Sequence, residues 1–171
     1  TGSAHRSGTT AALAREFQRG AEDAGHEVFR FDTAFREVHP CIGCDRCRRE
    51  GVCTFAADDM KRLNPHLLAA EAVVFVSPIY YFDLSAQLKA VVDRFYANDD
   101  ALHGGKRALL LTAMADEDLG AAEGADATFR SICAYLQWEN AGILNAAGAS
   151  TAEDLTEEDL RRAYDLGKDL K

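Results

Sequence analysis

The chain has no excess of positive charge: 19 lysines and arginines stand against 28 aspartates and glutamates, for a net charge of -9. That excludes the basic footprint with which a general nucleic-acid binder neutralises phosphates. No apolar run approaches the ~20 residues of a membrane-spanning helix, so no membrane partner is expected. A secretory signal pattern is also missing. The five cysteines are an odd number, and four of them are clustered. This is not the layout of a secreted disulfide framework, and a reducing cytoplasm is the expected location. There is no initiator Met, no linker and no internal repeat. What is present is a 171-residue chain, 47% apolar and 27% charged, which reads as one domain over residues 1–171 with a real core.

Apolar residues alternate between two kinds of pattern. His26 to Asp32, Ala72 to Ser77, Arg107 to Thr112 and Ala141 to Ala147 read as strands. The second and third are continuous apolar runs, the pattern of strands covered on both faces. Between them lie helical periods: Leu13, Phe17, Ala21 and Ala24; then Leu88, Val91, Val92 and Phe95; then Phe129, Ile132, Cys133 and Leu136. Cys133 therefore belongs to the core. Asp58 or Asp59 is placed to cap another helix, which Pro65 should kink or split, and Thr156 to Asp159 starts the last one as a capping box. Strict alternation implies right-handed βαβ units. The segment at Thr1 already looks like a loop that follows a strand, so a first strand upstream of residue 1 is expected. The reading is then an α/β, flavodoxin-like doubly wound parallel sheet of five strands in order 2-1-3-4-5, flanked by helices.

Three segments carry the candidate chemistry. The first is Thr1-Gly2-Ser3-Ala4-His5-Arg6-Ser7-Gly8-Thr9-Thr10. Its glycines admit an anion to the backbone, its hydroxyls donate, and the helix N-terminus behind it adds positive potential. It has no Gly-Lys-Ser/Thr ending, which excludes a nucleoside-triphosphate loop. The second is Ser77-Pro78-Ile79-Tyr80-Tyr81-Phe82-Asp83-Leu84-Ser85, where three aromatics leave a buried strand and Ser85 caps the next helix. Such a turn suits a flat polar ring, or merely covers the strand end. The third is Cys41-x2-Cys44-x2-Cys47-x5-Cys53, inside an irregular insert of about residues 33–57. Four thiols at this spacing fit an iron–sulfur cluster, a structural zinc, a redox-active thiol pair or an inert loop. Arg46, Arg48 and Arg49 would offset a cluster's negative charge, or are simply solvated.

Taken together, the Gly2-Ser3…Arg6…Gly8…Thr10 loop, the cysteine segment running to Asp58-Asp59-Met60, Ser77-Pro78-Ile79-Tyr80 and Ser85-Ala86-Gln87-Leu88-Lys89…Asp93-Arg94 resemble the NAD(P)H-dependent FMN reductases and iron–sulfur flavoproteins of the flavodoxin-like superfamily. The resemblance implies FMN, with its phosphate on Ser3, His5, Arg6, Ser7, Thr9 and Thr10. The ring would lie against Pro78, Ile79, Tyr80, Tyr81 and Phe82, with Thr112 and Ala113 on its other side. His5 stands where many relatives have Arg, and Thr9 where many have Asn. The implied activity takes hydride from NAD(P)H and passes electrons to a small acceptor such as a quinone or flavin, or to a redox protein. No side chain is needed as acid or base. The alternative it implies is electron transfer through FMN and a 4Fe-4S cluster on Cys41, Cys44, Cys47 and Cys53. A zinc-stabilised interaction module would use the cysteines but leave the other two segments idle. Relatives form homodimers or homotetramers, and the same is expected here.

Overall fold

Runs of Val, Leu and Phe without alternation need cover on both faces, and the chain supplies it. The computed structural model describes residues 1–170. Strands β1 (Ala72–Tyr80), β3 (Arg107–Ala113) and β4 (Glu139–Ala146) pair in parallel, with Phe75 beside Leu110 and Leu110 beside Ile143. Alternate residues go to opposite sides of this sheet. Phe75, Ala108 and Leu110 meet helices α3 (Met60–Ala69), α4 (Ala86–Asp93) and α6 (Glu123–Leu136). Val76, Leu109, Leu111 and Leu144 meet α1 (Thr9–Asp23) and α7 (Glu157–Lys168). Leu109, Leu110, Leu111 and Leu144 have essentially no exposed surface. Each such side chain contributes about 1.5–3 kcal/mol of burial. Cys133 lies in the α3/α4/α6 core as expected, and burial pushes its thiol pKa up.

The described residues form a four-stranded sheet in which β1, β3 and β4 stand side by side in the order expected of the third to fifth strands, with a short extra strand β2 on the other edge of β1; the expected first strand lies outside the sequence. The sequence pattern missed β2 (Asp83–Leu84), an antiparallel partner of β1 with Ile79 beside Leu84 and Tyr80 beside Asp83. The turn between them is Tyr81-Phe82, which carries none of the Asn-Gly chemistry that marks a two-residue hairpin. The expected strand over His26–Asp32 joins no ladder. Strands persist by pairing, and among the described residues this segment's backbone bonds only to its own flanks, Ala21 and Phe35, and to Thr1. Thr1 donates from its amino group to the Phe31 carbonyl (2.6 Å) and accepts from the Thr33 N–H (2.9 Å), while Gly2 N–H donates to Val76 (2.8 Å). The rest of the segment faces β1 across a cavity of about 560 Å³.

Three helix expectations also change. Ala24 ends α1 as an exposed C-cap instead of lining its face. Helix α3 runs unbroken through Pro65. The bond that Pro65 forfeits is to the carbonyl of Lys61, an exposed first-turn residue that water can serve. The period through Phe95 is shared between α4 and a 3-10 turn over Arg94–Asn98, followed by the short α5 (Asp99–Leu102). The cysteine insert carries a 3-10 turn at Thr33–Phe35 and one short α-helix, α2 (Arg46–Glu50).

Candidate functional site

The carboxyl ends of β1, β3 and β4 form a row in which the side chains turn polar: Ser77 pairs with Thr112, and Thr112 with Asn145. Ser77 and Thr112 are fully buried, and their hydroxyls have partners. Thr112 Oγ1 donates to Asn145 Oδ1 (2.6 Å), and Asn145 Nδ2 donates to Asp126 (3.1 Å). Ser77 Oγ donates to the Pro78 carbonyl (2.8 Å) and accepts from the Ser85 N–H (2.9 Å). Ser85 Oγ in turn donates to the Gly2 carbonyl (2.8 Å) and caps α4 by accepting from Leu88 N–H (3.4 Å). A Cβ on Gly2 would collide with Ser85 Oγ and Leu88. Buried hydroxyls satisfied on both sides fix geometry, so the loop before α1, the end of β1 and the start of α4 form one floor.

On this floor stands the N-terminus of α1. Gly8 is its N-cap, no side chain caps it, and its first turn holds no acidic residue. Its first helical bond is from Ala12 N–H to the Gly8 carbonyl (3.1 Å), so the amides of the first turn have no partner within the helix. Ser3, Thr9 and Thr10 are buried there, and Ser3 Oγ accepts from His5 N–H (3.1 Å). His5, Arg6 and Ser7 lie on the exposed side of the loop. The Arg6 guanidinium sits 3.6 Å above the Phe35 ring, a contact with no signal in the sequence. Free amides, hydroxyl donors and a glycine where a side chain would intrude suit a phosphate.

Beside it rises the aromatic hairpin. Tyr81 (φ 48°) and Phe82 (φ 69°) both occupy left-handed backbone, which costs about 1–2 kcal/mol per non-glycine residue. Tyr81 is 99% exposed and Phe82 62%. The tip is held from behind: a Cβ on Gly124 in α6 would collide with the Phe82 carbonyl, and Asp83 accepts from Thr128 Oγ1 (3.1 Å). Strain at an exposed aromatic pair points to use of those rings. Pro78 and Ile79 are half-buried below the tip, and Ala113 is buried in register with Pro78.

The cysteine segment is a separate construction. Cys41, Cys44, Cys47 and Cys53 are free thiols that line one small cavity with Phe55, Arg94 and Tyr96. Among the described residues no three His, Cys, Asp or Glu side chains converge as ligands of a single ion. The Cys44 thiol is held below its usual pKa by its hydrogen bond with Thr54 Oγ1 (3.2 Å) and by the Arg46 backbone; slight burial opposes this and the Arg49 charge assists. Arg46 is paired with Glu50 (2.7 Å), and Arg48 with Asp99 (2.7 Å) and Asp100 (3.0 Å), so both are committed to carboxylates.

The base of this loop is tied by Arg94, whose role the sequence did not disclose although Asp93-Arg94 was part of the resemblance. Buried to 4% exposure, it donates through Nη1 to Asp58 (2.6 Å) and to the His39 carbonyl (2.8 Å), and through Nη2 to the Phe55 carbonyl (3.1 Å). Asp58 also accepts from the His39 (3.1 Å) and Met60 (3.0 Å) amides. Burial works to raise the Asp58 pKa, but the hydrogen bond from Arg94 and those amides outweigh it and hold the carboxyl below its usual range. The His39 ring stacks on Phe55 with centroids 4.7 Å apart. Tyr96 adds a bond to Asp45 (3.0 Å).

Comparison with known proteins finds similar chains. An iron–sulfur flavoprotein of Methanocaldococcus jannaschii is 35% identical over 94 residues, covering 55% of this chain and 48% of the relative. An FMN-dependent NADH:quinone oxidoreductase of Methylorubrum extorquens is 30% identical over 126 residues, covering 65% and 62%. The chain thus spans about half the length of the iron–sulfur flavoproteins it matches. Among solved structures, an NAD(P)H:quinone oxidoreductase from Methanothermobacter marburgensis superposes with a TM-score of 0.72 at 21% identity, over 99% of this chain and 92% of that one. The Trp repressor binding protein from Bacillus subtilis gives 0.72 at 17%, over 99% and 96%. The fold is therefore the flavodoxin-like α/β fold, with helices on both faces of a mostly parallel sheet. The model described as NADPH-dependent FMN reductase matches residues 1–143, and the chain belongs to that family.

Proposed function

We propose that this chain is an FMN-dependent oxidoreductase that takes hydride from NAD(P)H and passes electrons to a small acceptor such as a quinone or flavin. The observation that carries the reading is the uncapped N-terminus of α1, flanked by Ser3, Ser7, Thr9 and Thr10 and locked to the end of β1 through Gly2, Ser85 and Ser77. These residues, with His5 and Arg6, would hold the phosphate. Pro78 to Phe82 would support one side of the ring, with Thr112 and Ala113 behind the other. FMN, when bound, supplies the two-electron exchange between hydride donor and acceptor. The protein positions both partners and excludes water, and no side chain acts as acid or base. Titration of FMN by fluorescence quenching should saturate at one per chain, followed by NADH or NADPH oxidation with a quinone. Failure to retain FMN overturns the reading.

A second reading, electron transfer through FMN and a 4Fe-4S cluster, rests on one observation: all four clustered cysteines line the same cavity. The ligands of a cubane sit on separate corners and need not converge as those of one ion do. Free thiols suit a reducing compartment such as the cytoplasm, and among the described residues no helix is long and apolar enough to cross a membrane. The exposed Tyr80–Phe82 tip supports assembly into a homodimer or homotetramer.

A further inference from the structure

The guanidinium of Arg94 has five N–H donors in a fixed fork. Nη1 serves His39 and Asp58, and Nη2 serves Phe55. Nε is buried and has no partner. A buried donor left unmatched is expensive, more so on a charged group, and rarely persists without a reason. The same side chain lines the cavity bounded by Cys41, Cys44, Cys47 and Cys53. Arg46 and Arg48 are drawn off by Glu50, Asp99 and Asp100, which leaves Arg94 as the buried cation bordering that cavity. His39 precedes Cys41 by two residues and Phe55 follows Cys53 by two, so one guanidinium grips both ends of the ligand-bearing loop.

We propose that Arg94 is a positioning residue for an iron–sulfur cluster in the four-cysteine cavity, its Nε–H donating to a cluster sulfur or ligating thiolate while its other nitrogens fix the two ends of the loop. This rests on the iron–sulfur reading of the same cavity. Asp58 orients the guanidinium inside the protein and balances its charge, so that the pair is tolerable when buried. Arg94 directly follows α4, and the cap of α4 is Ser85, which holds Gly2 of the phosphate loop. The same residue therefore sets where the cysteine loop stands relative to the flavin floor. A lysine cannot replace it, because a single ammonium cannot span two carbonyls and present a third donor in the fork geometry.

The test uses the whole chain, anaerobically purified and reconstituted with iron, sulfide and FMN, as wild type, Arg94→Lys and the double variant Asp58→Asn/Arg94→Gln. Iron and acid-labile sulfide per chain, the rate of iron loss to a chelator and the electron paramagnetic resonance spectrum of the reduced centre are measured. FMN titration reports folding. Wild type should hold iron and sulfide, and Arg94→Lys should bind FMN as wild type does yet lose iron roughly ten- to hundredfold faster, a change of the size that outer-sphere substitutions make in metal affinity, with an altered spectrum. The double variant, which strands no charge, should lose iron similarly. If Arg94→Lys, or the double variant, matches wild type in both rate and spectrum, the inference is overturned while the iron–sulfur reading stands. Wild type with neither iron nor sulfide overturns both, and that arm alone separates the two failures.

Discussion

The hydroxyl floor beneath α1 and the cysteine loop are built on opposite plans. The floor draws residues from three separated segments, and its hydroxyls are buried and matched: Gly2, Ser77 and Ser85 close a network across more than eighty positions of chain. The cysteine loop draws its thiols from one contiguous stretch that is exposed or half-exposed; a buried ion pair pins its base, and more exposed bonds from Arg48 and Asp45 tie its middle. A site assembled from distant segments needs a network to hold it. A site carried by one segment needs only its two ends pinned. The floor should therefore yield gradually to substitution, and the loop abruptly.

Breaking the clamp should have the largest effect. Arg94→Ala leaves Asp58 buried without its counter-charge and should cost about 3–5 kcal/mol in denaturant unfolding, with new proteolytic cuts between His39 and Phe55. The clamp also sets an acid limit. The folded pKa of Asp58 is lowered, so its contribution is fully present above the unfolded value of about 3.9 and disappears as pH falls through the lower folded value. Stability in Arg94-containing protein should hold down to roughly pH 4 and decline below it, measured by denaturant titration across that range. A decline that begins near neutrality would show that the carboxylate is not the anchor.

On the floor the expected cost is smaller. Ser85→Ala removes the cap of α4 and the donor to Gly2, and should lower stability by about 2 kcal/mol and weaken FMN binding in the same titration. If FMN affinity is unchanged, the floor does not position the phosphate loop. Smallest is the hairpin. Tyr81→Asn/Phe82→Gly places the residues that a two-residue turn prefers and should raise stability by about 1 kcal/mol, while weakening FMN binding. Equal affinity in that variant would separate the aromatic tip from the ring site and leave it to an interface.

Much of this was legible beforehand where a local pattern has a local cause. The continuous runs at Ala72–Ser77 and Arg107–Thr112, the period of α6, the buried Cys133 and the capping box at Thr156 all appear as read. The segment over His26–Asp32 reads well locally yet forms no ladder, because strand character depends on a neighbour. The β2 hairpin was invisible because Tyr81-Phe82 is held in left-handed backbone by packing on Gly124, not by its own preference. Arg48 was read as charge available to a cluster, but pairing with Asp99 and Asp100 claims it.

The sequence by itself determined the layers of the molecule, the phosphate-type loop ahead of α1, the aromatic segment after β1 and the presence of four clustered thiols. These follow from residue type and spacing, which act over a few positions. Only the tertiary structure decided that Gly2, Ser77 and Ser85 form one floor, and that Arg94 grips the base of the cysteine loop across 39 residues to Phe55 and 36 to Asp58. Buried hydrogen bonds of this kind join positions whose separation in sequence carries no period, and their strength comes from the dry surroundings that only the folded core provides.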